Sequence, residues 1–124
     1  MVAVQAAGCA PLAAAWHGEK YPAAPTVAEG IAITAPPRAD QILAAVRDSG
    51  GTIVTVDDDS VIAGRRALAD REGLFVEPTA AVCYAAAAGA ASRTGPGWQL
   101  VRELLANGDV VIPLCGAGLK HPGE

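Results

Sequence analysis

Apolar positions fall along this chain in two kinds of grouping. Short runs rich in Val, Ile and Thr alternate with longer stretches whose apolar residues recur three and four apart. The first kind predicts strands over residues 2–5, 52–56 and 110–114. Thr52 to Val56 is β-branched and near-continuous, as expected of a strand covered on both faces. The second kind predicts a helix over 39–48, with Ile42, Leu43 and Val46 on one face and Ser49-Gly50-Gly51 as its stop. Another runs over 57–71, where Val61, Ile62, Leu68 and Ala69 repeat at heptad distance. Two more cover 80–91 and 98–106, the latter with Leu100, Val101, Leu104 and Leu105 on one face and Asn107-Gly108 as its end. Residues 10–16 form a further helix, with Pro11 tolerated in the first turn. Pro22 and Pro25 make 17–25 a loop, and Pro36-Pro37 closes an ambiguous stretch over 26–33.

Strands that alternate with helices through short connections predict an α/β fold. The expected architecture is a parallel sheet in a three-layer αβα arrangement, forming one structural unit or part of one. The chain opens directly in a strand, which raises the expectation that a preceding segment belongs to the same unit.

Composition narrows the function classes. Hydrophobic residues make up 52% of the 124 and charged residues 18%, which excludes a disordered chain. Much of that apolar content is Ala, so the core is thinner than the figure suggests. Aromatic residues are 4% and the net charge is −4, so neither a stacking platform for bases nor a basic footprint for nucleic acid is present. Cys9, Cys83 and Cys115 are far apart and odd in number, which argues against a disulfide framework or metal site and fits a reducing cytoplasm. Ala6-Ala7-Gly8-Cys9 has the form of a lipoprotein cleavage box, but no basic segment and long apolar run precede it. The Ala-rich stretch over 79–92 is too short and weakly apolar to span a bilayer.

Candidate chemistry is sparse when read from the residues alone. Asp57-Asp58-Asp59-Ser60 suits a helix entry, where acidic groups cap amides and complement the helix dipole, better than a metal site. Residues 110–118 read as a strand ending in a small polar residue and a glycine-rich turn. In parallel sheets ligands gather at the carboxyl ends of strands. A plain strand terminus is the other reading of this feature.

Five blocks, in order and over nearly the whole chain, resemble the C-terminal region of threonine synthases. They are Val4-Gln5-Ala6 with Cys9-Ala10-Pro11, Thr26 through Ala32 (Thr-Val-Ala-Glu-Gly-Ile-Ala), Asp48-Ser49-Gly50-Gly51 with the strand after it, Arg71 through Ala81 containing Phe-Val-Glu-Pro-Thr, and Cys115-Gly116-Ala117-Gly118-Leu119-Lys120-His121-Pro122. The second and fourth also occur in threonine and serine dehydratases, and the Gly-Leu-Lys ending leans toward threonine synthase.

The resemblance implies the large domain of a fold type II pyridoxal-phosphate enzyme that converts O-phospho-L-homoserine and water to L-threonine and phosphate. It implies pyridoxal 5'-phosphate as cofactor, an amino-acid substrate and a homodimer when complete. Cys115 stands where threonine synthases usually carry Thr against the cofactor's ring nitrogen. Some dehydratases use a thiol there, which keeps that alternative open, as does a buried inert thiol. Gly30 matches a glycine lying along the cofactor ring, Gly116 brings the terminal turn close by the same logic, and Glu77 sits near the active-site edge. A loop glycine and a helix cap are the structural alternatives for Gly30 and Glu77. Pro113 and Ala117 depart from the pattern. Pro113 removes a ladder donor, suggesting a bulge or relaxed constraint.

A pyridoxal-phosphate enzyme also needs a lysine that carries the cofactor. Only Lys20 and Lys120 occur here, and neither matches the family's position for it. The glycine-rich phosphate cradle is absent too. The expectation is therefore a segment of roughly the last third of an enzyme, inactive without a lysine-bearing portion. A non-catalytic small-molecule-binding or interaction module is the remaining alternative.

Overall fold

A computed structural model describes residues 1–120. Strand β1 (Val2–Ala6) pairs in parallel with strand β2 (Thr52–Val56), Val2 lying opposite Thr52 and Ala6 opposite Val56. Parallel neighbours need a long crossover. Here it contains helix α1 (Pro11–His17), a 3₁₀ turn (Glu29–Ile31) and helix α2 (Ala39–Asp48). After β2 come α3 (Asp58–Glu72), α4 (Pro78–Gly89) and α5 (Trp98–Asn107), then a 3₁₀ turn at Gly118–Lys120.

Side chains alternate across a strand, and this alternation divides the core in two. Ala3 and Ile53 point to the α1–α2 side, where they meet Leu12, Ala13 and Val46. Val4, Ala6, Val54 and Val56 point to the opposite side, against Val61, Leu68, Ala81, Val82 and Val101 of α3, α4 and α5. Helices thus cover both faces of a parallel pair, as the three-layer expectation requires. Gly64 lets α3 close on α4, since a Cβ there would lie 3.1 Å from the Ala85 methyl.

Local chemistry explains the helix starts. The Gln5 carbonyl oxygen accepts from the amides of Leu12 and Ala13, each at 3.0 Å, and supplies α1 with the cap that Ala10 cannot. Asp57 caps α3 by accepting from the Ser60 amide at 2.8 Å. Helix α4 begins at Pro78, two residues earlier than the apolar pattern suggests, because proline suits the first helical position.

Two expectations need correction or refinement. Residues 110–114 belong to no ladder among the described residues, although they read as a strand. Pro113 lacks an N–H, and no strand among the described residues pairs with the segment. The ambiguous stretch over 26–33 is a loop with the 3₁₀ turn, fixed at its start by Asp58. The Asp58 carboxylate accepts from the Thr26 hydroxyl at 2.6 Å and the Val27 amide at 2.9 Å.

The outer edge of β2 is closed. The His17 ring donates from Nε2 to the Ile53 carbonyl at 2.7 Å. The turn before α5 packs there as well, and a Cβ on Gly97 would lie 2.7 Å from Thr52 Oγ1.

Candidate functional site at the start of helix α4

The segment Glu77-Pro78-Thr79 gathers most of the candidate residues. The Glu77 amide donates to the Gly116 carbonyl at 2.9 Å, and the Gly118 amide donates to the Phe75 carbonyl at 2.9 Å. These bonds flank an antiparallel bridge between Val76 and Ala117. They seat the terminal glycine-rich turn on the strand-like residues before α4. The Gly30 amide donates to Thr79 Oγ1 at 3.1 Å. Gly30, Glu77 and Gly116 therefore converge around one helix start.

Packing explains why two of these positions are glycine. A side chain at Gly116 would run into the Glu77 carboxylate. A Cβ at Gly30 would lie 3.0 Å from Thr79 Oγ1. Gly116 is buried, Glu77 is half-buried and Gly30 is exposed.

Cys115 is exposed, so the buried inert thiol is not what the structure contains. It lies near half-buried Cys83 on α4. Burial pushes the Cys83 thiol up from its ordinary value, and the neighbouring Cys115 adds to the effect. Cys83 is therefore held protonated at neutral pH, while Cys115 presents a small polar group to the outside.

The cluster sits toward the carboxyl end of β2. Asp58 follows that strand and holds Thr26 and Val27, which lead into Gly30. This is where parallel α/β sheets collect ligands.

The contacts of three contributors escape a reading of the sequence. Thr79 lies inside the Glu-Pro-Thr block, so the block marked it even though its contact with Gly30 could not be read. Asp58 reads as one of three helix-entry acids; it stands in the first turn of α3 as expected and also anchors the loop. Arg65 was not singled out in the sequence. It is only 2% exposed. Its Nε donates to the Val76 carbonyl at 2.8 Å, a second nitrogen reaches the Gly118 carbonyl at 3.5 Å, and the guanidinium stacks 4.6 Å from the Phe75 ring centre. Arg65 thus ties together the two segments that form the site.

Lys20 is exposed in the loop after α1, and the backbone of Lys120 ends the last 3₁₀ turn. His121 and Pro122, which close the fifth block, lie outside the described residues. Among the described residues no group of three or more His, Cys, Asp or Glu could hold a metal ion. No helix among them is long and apolar enough to cross a membrane.

A family model described as pyridoxal-phosphate dependent enzyme matches residues 1–116. The threonine synthase of Methanosarcina acetivorans is 37% identical over 90 residues, covering 68% of this chain and 22% of that protein. That of Mycobacterium leprae is 33% identical over 123 residues, covering 98% of this chain and 31% of that protein. The threonine synthase of Methanocaldococcus jannaschii is 31% identical over 129 residues, covering 98% and 29%. The chain spans less than a third of the length of each of these relatives. With the family model spanning nearly all of the sequence, and a parallel sheet covered on both faces, the chain belongs to the pyridoxal-phosphate-dependent enzyme family.

Proposed function

We propose that this chain is the C-terminal part of a threonine synthase-like lyase and contributes one side of its cofactor site. The observation that carries this reading is the convergence of Gly30, Glu77 and Gly116 at the start of α4, with Cys115 exposed beside them. The residues fit one edge of pyridoxal phosphate. They offer a small thiol able to meet a ring nitrogen, next to two positions without side chains. They do not supply the opposite edge, because the lysine and phosphate cradle are not among them.

When bound, pyridoxal phosphate supplies an electron sink for a substrate carbanion. In this reading Cys115 holds the ring nitrogen by a hydrogen bond. Gly30, whose loop is held by Thr79 and Asp58, would line the cofactor site without a side chain in the way. Gly116 keeps the terminal turn tight against Glu77, so that Cys115 is presented outward. The lysine comes from a further portion of polypeptide, and the substrate is an O-phosphorylated hydroxy amino acid. The complete enzyme is a homodimer in a reducing cytoplasm, which suits three free thiols.

A threonine or serine dehydratase is the second reading, favoured by the thiol at Cys115. The test is reconstitution with the portion of the Mycobacterium leprae relative that the match leaves uncovered. Threonine synthase chemistry releases phosphate from O-phospho-L-homoserine, and dehydratase chemistry forms 2-oxobutyrate from threonine. The chain alone is expected to retain no cofactor after borohydride treatment. Cofactor trapped on Lys20 or Lys120 would overturn the two-part reading.

A further inference from the structure

Val61, Arg65 and Leu68 lie on one buried face of α3, at positions i, i+4 and i+7. Two of the three are apolar, and the third is the one charged side chain among the described residues that is fully buried. Taking a cation out of water costs free energy that an apolar residue of similar volume does not. Methionine or leucine would fill this place, so packing alone does not account for an arginine there.

The guanidinium grips both members of the Val76–Ala117 bridge. Its Nε donates to the Val76 carbonyl at 2.8 Å on one side, and a terminal nitrogen reaches the Gly118 carbonyl at 3.5 Å on the other. The group also stacks 4.6 Å from the Phe75 ring centre. That ring in turn rests on Gly118, where a Cβ would come within 2.5 Å of Phe75 Cδ1. A guanidinium suits the task because its donors leave a rigid plane in fixed directions, whereas an ammonium offers a single point.

Cys115 stands between this bridge and residues 110–114, which join no ladder among the described residues. Its place in the chain is therefore set from the turn that follows it. The backbone bonds of that turn, from the Glu77 amide to Gly116 and from the Gly118 amide to Phe75, both run to residues 75–77. Arg65 holds those residues through Val76. Hydrogen bonds weaken steeply outside a narrow range of distance and angle. A turn free to shift would lose a contact made by Cys115 even where the fold survives.

We propose that Arg65 is a positioning residue for cofactor recognition: from α3 it fixes the terminal turn so that Cys115 meets the ring nitrogen. Buried as it is, Arg65 acts through the turn and makes no contact of its own with the cofactor. The proposal rests on the assignment of Cys115 made above.

A double-mutant cycle tests it in the chain assembled with the uncovered portion of the Mycobacterium leprae relative. The readouts are affinity for pyridoxal phosphate and the absorption maximum of the bound cofactor. Arg65→Met and Cys115→Ala are each expected to weaken binding roughly tenfold, about the worth of one hydrogen bond, and to move the maximum in the same direction. The double variant is expected to stay within about twofold of the weaker single one, because both changes remove the same contact. Losses that multiply to roughly a hundredfold would make Arg65 a general support of the fold and overturn the proposal. Wild-type affinity in Arg65→Met, or weaker binding with an unmoved maximum, would overturn it too. Should circular dichroism show Arg65→Met unfolded, Arg65→Lys carries the same cycle. It keeps the charge and lacks the fork, and the same non-additive loss is expected. Wild-type affinity and spectrum in that variant would sink the proposal. A wild-type assembly that holds no cofactor would overturn the cofactor-site reading as well, whereas an additive cycle overturns the positioning role alone.

Discussion

Two side chains illustrate how single residues hold the fold. Asp57 is largely exposed, and the slight desolvation it suffers raises its pKa, but hydrogen bonds from the Ser60 backbone and hydroxyl and from Arg93 outweigh this and leave it below its ordinary value. A depressed folded-state pKa contributes stability that is fully present above the unfolded value and is lost as pH falls through the folded one. Asp57→Ala is therefore expected to cost about 1 kcal/mol at neutral pH, the usual worth of an N-cap. Its deficit should shrink toward zero in acid, which thermal unfolding from pH 6 down to about 2 would reveal. Arg65 is a buried cation that donates to the Val76 and Gly118 carbonyls. Arg65→Met keeps the stem and strands the Val76 and Gly118 carbonyls, at a cost of about 2 kcal/mol. Urea titration measures the loss. Faster amide exchange at residues 74–77 and 116–118 would localise it to the seam between the terminal turn and α4.

Among the elements, α1 is the one most dependent on a distant group. Seven residues are too few for a helix to stand by itself. Gln5 holds two of its first amides from within β1, so strand and helix are secured together. Gln5→Leu is expected to destabilise the chain by about 1–2 kcal/mol and to loosen α1 first, seen as accelerated exchange at Leu12 and Ala13. A change confined to β1 would argue that Ala10 and Pro11 suffice to start the helix.

The elements were readable in the sequence where their cause is local. Acid at the entry of α3 and the glycine after it at Gly73, with φ +67°, mark that helix without any tertiary knowledge. Thr52 to Val56 is a strand because its neighbours on both faces demand apolar residues throughout. Residues 110–114 carry the same signature and form none, because a strand is a relation between two segments and periodicity describes only one. The start of α4 was placed late for another reason. Apolar spacing begins inside the helix, whereas proline geometry sets its first residue.

At the scale of the whole molecule, the fold was legible as a parallel sheet between helices, and the candidate site as a set of short blocks. How the blocks meet was not. Glu77 and Gly116 are far apart in sequence and are joined by one backbone hydrogen bond. Thr79 reaches Gly30 across a similar gap. Arg65 secures both segments from α3, whose apolar repeat marks Val61 and Leu68 but gives no sign of a buried arginine. None of these contacts has a period or a spacing, so no pattern along the chain announces them.

The His17 ring over the Ile53 carbonyl has a consequence for assembly. A sheet with two open edges can grow without limit, head to tail, into fibres. In this chain growth past β2 is blocked by an imidazole, so added strands can join on one side alone. If β1 of one copy met β1 of another, both blocked ends would face outward and addition would stop at two. The imidazole thus makes the two edges of this two-stranded sheet unequal as places for a further strand to add.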